Sequence, residues 1–469
     1  MRSYLERLKM RMAERGLRAR LLLVQSNGGV CSPEIASDEP VRLLLSGPSG
    51  GALAAQRACR RLDRPNLVGI DMGGTSFDVC IVQDGGVASM TQGEIDGLPV
   101  RLPMIEIRTI GAGGGSIASV DSGGRLTVGP RSAGARPGPV CYGRGGTQPT
   151  VTDANLVLGR LDAEFFLGGA LVLDVEGARA AVEAQIARPL HLNLDRAAEG
   201  ILTLTNAGLA SAIRLSLFEK GLDPRAFSLL SFGGAGGLHA IPVAEELGID
   251  EVIFPADAST FSASGILHSD IVHDLAKSRV MRAVPESLPA LGLALEELRR
   301  DGASLLEQDG VPGEARELAV SVDMRYLGQA FELVVPWSDA QAQADALERL
   351  IAGFHALHRQ RFSYANPGDP VEIVTLRVTA IGRLPRIEES RSAATSGERG
   401  PLRRRVFLDG AWHEIDIRHR AELRHPIAGP ALIEEEYTTV FVARGWNCGP
   451  GPGGDLLARR SGAAAQARE

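Results

Sequence analysis

Two periodicities alternate along the chain: short apolar runs that end in glycine turns, and longer stretches with apolar residues every three to four positions. The first kind reads as buried strand and the second as helix. The clearest strand pair brackets a turn. Val68-Gly69-Ile70 leads into Asp71-Met72-Gly73-Gly74-Thr75-Ser76, and Phe77-Asp78-Val79-Cys80-Ile81-Val82 leads out. A second apolar run, Phe227 to Phe232, enters Gly233-Gly234-Ala235-Gly236-Gly237-Leu238-His239-Ala240 and then a helix-like stretch from Ile241 to Leu247. Residues 195–220 predict a long helix with Ala197, Ile201, Leu204, Ala207, Leu209 and Ile213 on its apolar face. Arg20 to Val24 is strand-like. Ser46 to Gly51 opens a helix over Ala52 to Leu62, where glycine and serine are ordinary N-terminal punctuation.

The texture changes after about residue 280. Leu288 to Leu306 and Ala340 to Phe362 predict amphipathic helices. Ala319 to Leu327 and Phe331 to Pro336 predict a hairpin around Gly328-Gln329, and Val371 to Ile381 a long strand. Residues 383–404 read as an exposed linker ending in the solvated charge run Arg403-Arg404-Arg405. Short strands and turns follow, and residues 461–469 read as a disordered tail.

Composition narrows the class. A chain of 469 residues with 44% hydrophobic and 23% charged residues is an ordinary multidomain globular sequence. Its net charge of −7 argues against a nucleic-acid surface. No run approaches the roughly 18–20 apolar residues of a membrane span, and the N-terminus lacks the pattern of a signal peptide, so a cytoplasmic location is expected. Cys31, Cys59, Cys80, Cys141 and Cys448 form no CxxC pair and read as reduced, buried thiols. Cys141, in a Gly- and Pro-rich loop, is the one to test for reactivity.

Several segments carry candidate chemistry. Without side chains at Gly73 and Gly74, backbone N–H groups can approach a phosphate closely. Thr75 and Ser76 can donate to phosphate oxygens, and Asp71 and Asp78 can hold an accompanying Mg²⁺. A plain hairpin turn explains the same residues. The loop at Gly233 to His239 is strand, glycine turn, helix, yet it fits neither a dinucleotide fingerprint nor a P-loop. His239 is weighed as catalytic against structural. Residues 111–146 hold 12 glycines in 36 positions and three prolines, a stretch too long for a passive connection. Arg131, Arg136 and Arg144 in it can clamp an anion or remain solvated. Asp153 sits where an N-cap belongs, which is a sufficient explanation for it. Lys220 and Arg225 suit charge at a helix end and also stand near enough in sequence to reach a nucleotide. His268, Asp270, His273 and Asp274 suggest a metal site, but two histidines five apart on a helix lie about 140° apart, a poor chelating geometry.

Taken in order, Gln25-Ser26-Asn27-Gly28-Gly29, Leu45 to Gly51, Asp71 to Ser76, Thr109 to Ala118, Pro139 to Gly143, Thr150 to Asn155, Phe232 to Gly236, Tyr364-Ala365-Asn366-Pro367, Gly429-Pro430 and Thr438-Thr439-Val440 resemble the hydantoinase A and ATP-dependent 5-oxoprolinase family. That family also includes the beta subunit of acetone carboxylase. The resemblance implies an α/β fold: an actin-like, ribonuclease H-like ATPase lobe over residues 1–280, an α+β module over 281–382, the linker over 383–404 and a β-rich part over 405–460. It implies ATP with Mg²⁺ as cofactors and a hydrolase that opens a cyclic amide, 5-oxoproline or an N-substituted hydantoin, through phosphorylation of the carbonyl oxygen. Gly73, Gly74, Thr75 and Ser76 then take phosphate, and Gly233, Gly234 and Gly236 the nucleoside side. Asp71 and Asp78 hold the metal and act in catalysis, with Asp153 bordering the cleft as a further catalytic candidate. A hydantoinase B-type subunit is the implied partner, with no nucleic acid and no membrane. Family members usually begin with a lobe that opens on a first phosphate loop. Met1 to Leu8 resembles the helix after that lobe, so a second chain supplying it is a further expected partner. Two departures stand out: Phe77 replaces the usual Thr, and Gly237 the usual Pro. A ketone carboxylase subunit and a truncated, non-catalytic assembly subunit remain alternatives.

Overall fold

The computed structural model describes residues 1–44, 46–90, 93–95, 98–100, 102–337, 344–386 and 402–462. The chain divides into two compact units, and the division is discontinuous in sequence.

One unit comprises Met1–Ser46, Thr91–Met104 and His268–Glu388. Its six-stranded sheet runs, in spatial order, Leu23–Val24, Val30–Cys31, Ile271–Arg282, Val371–Gly382, Arg316–Tyr326 and Leu333–Pro336. The helices Leu288–Gln308 and Ala344–Phe362 cover it, placing Leu291, Leu295, Leu347 and Phe354 against Val322, Ile373 and Leu376. The predicted hairpin is present, with Gly328 at φ +87° in its turn. The predicted helix from Ala340 is described from Ala344; its first residues lie outside the described ones. His273 and Asp274 stand on a strand, not a helix. His273 Nε2 meets Asp309 Oδ2 at 2.6 Å, and Asp274 accepts from Asn27 and Thr379. Among the described residues, no group of three His, Cys, Asp or Glu side chains converges as a metal site.

The other unit comprises Gly47–Met90, Ile105–Leu267 and Glu389–Glu469. Its main sheet contains β1 (Leu67–Met72), β2 (Phe77–Gln83), β3 (Ile107–Ile110), β4 (Ser228–Phe232), β5 (Glu251–Phe254), β6 (Ile427–Ala428), β7 (Trp446–Pro450) and β8 (Leu456–Arg460). The spatial order is β3-β2-β1-β4-β5-β8-β7-β6, with Gly86–Val87 paired to β2. β3, β2 and β1 are antiparallel neighbours, whereas β1, β4 and β5 run parallel. Strand alternation sends successive side chains to opposite faces. Val68, Ile70, Met72, Val79 and Ile81 meet helices α3 (Leu194–Phe218) and α4 (Ala240–Leu247). Leu67, Cys80, Val82, Leu230 and Phe232 meet α1 (Ser49–Leu62). Helix α2 (Val151–Val157) lies in a satellite core with the first turns of α3.

These units cut the chain differently from a linear reading. The first 46 residues join the sheet of residues 268–388 because Val30 pairs with Ile271. Strands β6, β7 and β8 extend the main sheet of the other unit because β8 pairs with β5, while Ala431–Glu434 and Thr439–Val442 between them pair in a separate sheet with Leu402–Leu408 and Ala411–His419. The run Arg403-Arg404-Arg405 lies on strand Leu402–Leu408, and Arg403 and Arg405 are exposed as expected; Arg404 departs from the solvated reading. Arg404 is half-buried and pairs with Asp162 at 2.6 Å and Glu434 at 2.8 Å. Residues 387–401 of the expected linker and 463–469 of the expected tail lie outside the described residues.

One correction concerns membranes. Helix α3 is long and apolar enough to span one by length and composition, although half of that stretch is buried within the protein. All five cysteines are free and buried. Burial raises the Cys141 thiol, as does neighbouring Asp153, so the one cysteine singled out for a reactivity test has the surroundings of an inert, buried thiol, like the others.

Candidate active site

Strand alternation also builds the site. On β1 and β2 the residues facing α1 are Leu67, Gly69 and Asp71 on one strand and Val82, Cys80 and Asp78 on the other. The apolar face thus ends in two carboxylates that are direct cross-strand partners, side by side on one face of the sheet. Thr109 on β3 is the partner of Asp78, and its hydroxyl donates to Asp78 Oδ1. Ser76 Oγ donates to Asp78 Oδ2 at 3.3 Å. Ser262, on helix α5 (Phe261–Leu267), donates to Asp71 Oδ2 at 2.9 Å.

Helix α5 reaches Asp71 because α1 begins with glycines. A Cβ on Gly50 would strike Ser262 O, and one on Gly51 would come within 3.0 Å of Ser262 Oγ. Gly50 and Gly51 therefore permit close helix packing that carries a hydroxyl to the site.

Burial raises both carboxyls above their ordinary range. For Asp71 the Ser262 hydrogen bond opposes this and the Asp78 charge adds to it; for Asp78 the hydrogen bonds from Thr109 and Ser76 oppose it. Two half-buried carboxylates whose donors, among the described residues, are all hydroxyls fit a divalent cation, which would restore their ionised forms.

Three loops converge beside this pair. The turn Gly73 to Ser76 caps β1 and β2. A Cβ at Gly73 or Gly74 would meet nothing within 4 Å, so this backbone borders open space. Under it runs the start of the long glycine-rich stretch: Gly114 N–H donates to Gly73 O at 3.0 Å, and Gly115 N–H to Gly74 O at 2.7 Å. A Cβ on Gly113 would lie 2.7 Å from Thr75 N, which explains glycine there. From the other side, Ala235 N–H donates to Met72 O at 2.9 Å. Gly233 has φ +81°, and a Cβ there would run into the Asp71 carboxylate. Of the remaining predicted glycines, Gly236 is buried against Ser231, whereas Gly234 is exposed and borders a hollow with Leu161, Phe165 and Tyr437.

The other sequence candidates separate from this cluster. Asp153 is the third residue of α2, not its N-cap; Thr150 is the cap, and the two form a capping box. The fully buried Asp153 carboxylate accepts from Cys141 N, Thr150 N and Thr150 Oγ1 at 2.8 Å and from Val140 N at 3.2 Å. Four donors occupy its oxygens, the arrangement of a structural anchor. His239 is buried; its Nδ1 donates to Asn206 Oδ1 at 2.7 Å and its Nε2 faces Asn155 Nδ2 at 3.4 Å. Burial, aided by Arg160, pushes its pKa down to about 3, so the ring is neutral. Lys220 pairs with Glu106 and Arg225 with Asp223, so neither is aimed at a nucleotide. Arg131, Arg136 and Arg144 are exposed, and Arg144 lies over the Tyr142 ring. The residues that sequence reasoning did not single out are Thr109 and Ser262. Each is a hydroxyl at the end of an otherwise apolar or small-residue segment, a weak signal before the partners are known.

The comparisons with known proteins agree with this architecture. The profile described as Hydantoinase/oxoprolinase matches residues 1–275, and that of the hydantoinase/oxoprolinase C-terminal domain matches residues 282–449. The chain is 39% identical over 456 residues to caprolactamase subunit alpha of Pseudomonas jessenii, spanning 95% of this chain and 66% of that protein. The crystal structure of the ATP-dependent caprolactamase from Pseudomonas jessenii superposes with a TM-score of 0.82 at 37% identity, over 98% of this chain and 68% of that one. The nucleotide-free structure of acetone carboxylase gives 0.81 at 29% identity, over 98% and 67%. The chain thus spans just under two thirds of the length of the first curated relatives it matches. With one family profile covering more than half of its residues and another most of the rest, the chain belongs to the hydantoinase/oxoprolinase family.

Proposed function

We propose that this chain is the ATP-binding subunit of an enzyme that opens a cyclic amide, a lactam such as 5-oxoproline or an N-substituted hydantoin. The observation that carries this reading is the convergence of three glycine loops on the paired carboxylates Asp71 and Asp78. The strand order β3-β2-β1-β4-β5, antiparallel then parallel, supports an actin-like, ribonuclease H-like ATPase lobe. Similarity to an ATP-dependent caprolactamase supports the nucleotide and the lactam class.

The residues present suit ATP and Mg²⁺. Gly73 and Gly74 leave open backbone for phosphate oxygens, Thr75 and Ser76 add hydroxyl donors, and Asp71 and Asp78 are the groups to hold the metal. Gly233 and Gly236 shape the second turn, leaving Gly234 as its exposed face toward the nucleoside. ATP supplies the phosphoryl group that converts a poorly electrophilic amide carbonyl into one that water can attack. This chain's part is to fix the phosphates in line and to neutralise their charge at a preorganised site, the two effects on which phosphoryl transfer mostly depends. Thr109 and Ser262 orient the two carboxylates; they are positioning residues. A hydantoinase B-type subunit is the partner this reading requires.

Isothermal titration with Mg·ATP, of the chain alone and with a B-type partner, tests the proposal. Binding that disappears in Asp71→Ala supports it; no binding in either setting overturns it. A second reading, a ketone carboxylase subunit, is favoured by the near-equal superposition on acetone carboxylase. ATP turnover stimulated by acetone and bicarbonate, with no response to lactams, would select it.

A further inference from the structure

Arg160 is not used by the site above. It follows α2, its backbone N–H donates to Asn155 O, and only 9% of it is exposed. Its guanidinium lies over the Phe441 ring, 4.6 Å from the centroid. Among the described residues, neither Nε nor Nη1 has a hydrogen-bond partner. Arginine is almost never buried without an anion to receive its donors, because an unmade charged hydrogen bond leaves the full desolvation cost in place. Burial accordingly pulls its pKa down, to about 10.

The guanidinium borders a hollow of about 360 Å³, the lower end of the size range for small-molecule sites. Leu202, Pro242 and Phe441 give it apolar walls, while Thr203 and Asn206 add polar ones. Three carboxylates also face it, each with one partner already: Glu199 with Arg196 at 2.8 Å, Glu245 with Trp446 Nε1 at 2.9 Å, and Asp409 with Arg444 at 3.7 Å. Arg444 lines the hollow too, so three acids face two arginines, and a polyanion such as phosphate would meet net repulsion. A molecule with one carboxylate and one ammonium would satisfy the arginine and find acceptors for its cationic end.

We propose that the hollow around Arg160 is a second small-molecule site, which binds a zwitterionic amino acid with its carboxylate on Arg160 and its ammonium toward Glu199, Glu245 or Asp409. Asn206, in the wall, accepts from His239 Nδ1, and His239 directly follows the turn Gly233 to Leu238. An occupant therefore touches the anchor of the glycine turn without entering the Asp71–Asp78 site.

Titration calorimetry of the chain with aminohexanoate, leucine, hexylamine and inorganic phosphate tests this. Saturable binding is expected for at least one of the two amino acids, with none for hexylamine or phosphate. Arg160→Gln should weaken it by at least about tenfold. Thr203→Trp, at an exposed position on the rim, should abolish it by filling the hollow with Arg160 intact, so a folding defect at Arg160 does not blunt the test. Asp71→Ala should leave it unchanged. Aminohexanoate is also the class of product that lactam opening yields, and this last arm separates the two sites: loss of binding in Asp71→Ala would overturn the inference whatever becomes of the ATP reading. Equal binding of phosphate or hexylamine, retention in Thr203→Trp, or no saturable binding of either amino acid would overturn it too.

Discussion

Asp153 and the pair Asp71–Asp78 are carboxylates of one unit, each set beside glycine-rich turns, and the sequence offered all three as candidates for catalysis. Their surroundings differ in one respect. Asp153 lies fully buried with four donors on its oxygens, three of them backbone N–H groups. Among the described residues, Asp71 and Asp78 receive only hydroxyls, one for Asp71 and two for Asp78, while facing each other across two strands. A carboxylate that already accepts four hydrogen bonds from its own chain is held by the fold and keeps little capacity for a ligand. A pair that is short of donors and raised by burial keeps capacity for a cation. Donor count, more than burial or motif, is what distinguishes the two sets of acids here.

Four substitutions would break or sharpen that contrast. The largest effect is expected in Asp71→Ala, which should lower ATP-dependent turnover of the assembled enzyme at least about a hundredfold with folding intact, read by steady-state kinetics and circular dichroism. Asp153→Ala should do the reverse: it strands buried N–H donors and should cost about 3 kcal/mol in urea unfolding, while Mg·ATP affinity of the surviving folded protein changes little.

His239 extends the logic to a buried base. Its folded pKa is lowered to about 3 by burial, whereas the unfolded chain takes up a proton below about 6.5. The neutral ring therefore contributes stability that is present above that value and lost as pH falls through the window toward 3. Between pH 7 and 5 this amounts to about 2 kcal/mol, and His239→Gln should remove that part of the pH slope in urea midpoints.

The smallest effect has the opposite sign. Asp78 has a raised folded pKa, so its contribution is present below the ordinary carboxylate range and lost as pH rises through the raised value. At neutral pH without metal the ionised group opposes folding. Asp78→Asn should raise Tm by about 2–4 °C in chelator, the shift that about 1 kcal/mol gives in a unit of this size, while weakening Mg·ATP binding. A Tm unchanged or lowered would place Asp78 with Asp153 on the structural side of the comparison.

Local pattern was enough for much of this protein. The strand–turn–strand at Val68 to Val82, the helix of residues 195–220, the hairpin around Gly328 and the turn after Phe232 are all legible because their side-chain periods and turn residues are properties of neighbouring positions. The same holds for Asp71, Gly73 and Gly74 as candidates. Non-local facts were not legible. That Trp446–Pro450 and Leu456–Arg460 extend the sheet begun at Leu67, and that Val30 pairs with the strand at Ile271, depends on strand partners hundreds of positions apart. That Ser262 and Thr109 reach the two aspartates, that Val140 and Cys141 add donors to Asp153, and that Arg160 is buried beside a hollow with Nε and Nη1 unpaired among the described residues are likewise settled only by packing. Sequence fixes which groups can donate, accept or leave room; the tertiary structure decides which of them meet, because hydrogen bonding and burial act through distance in space and not along the chain.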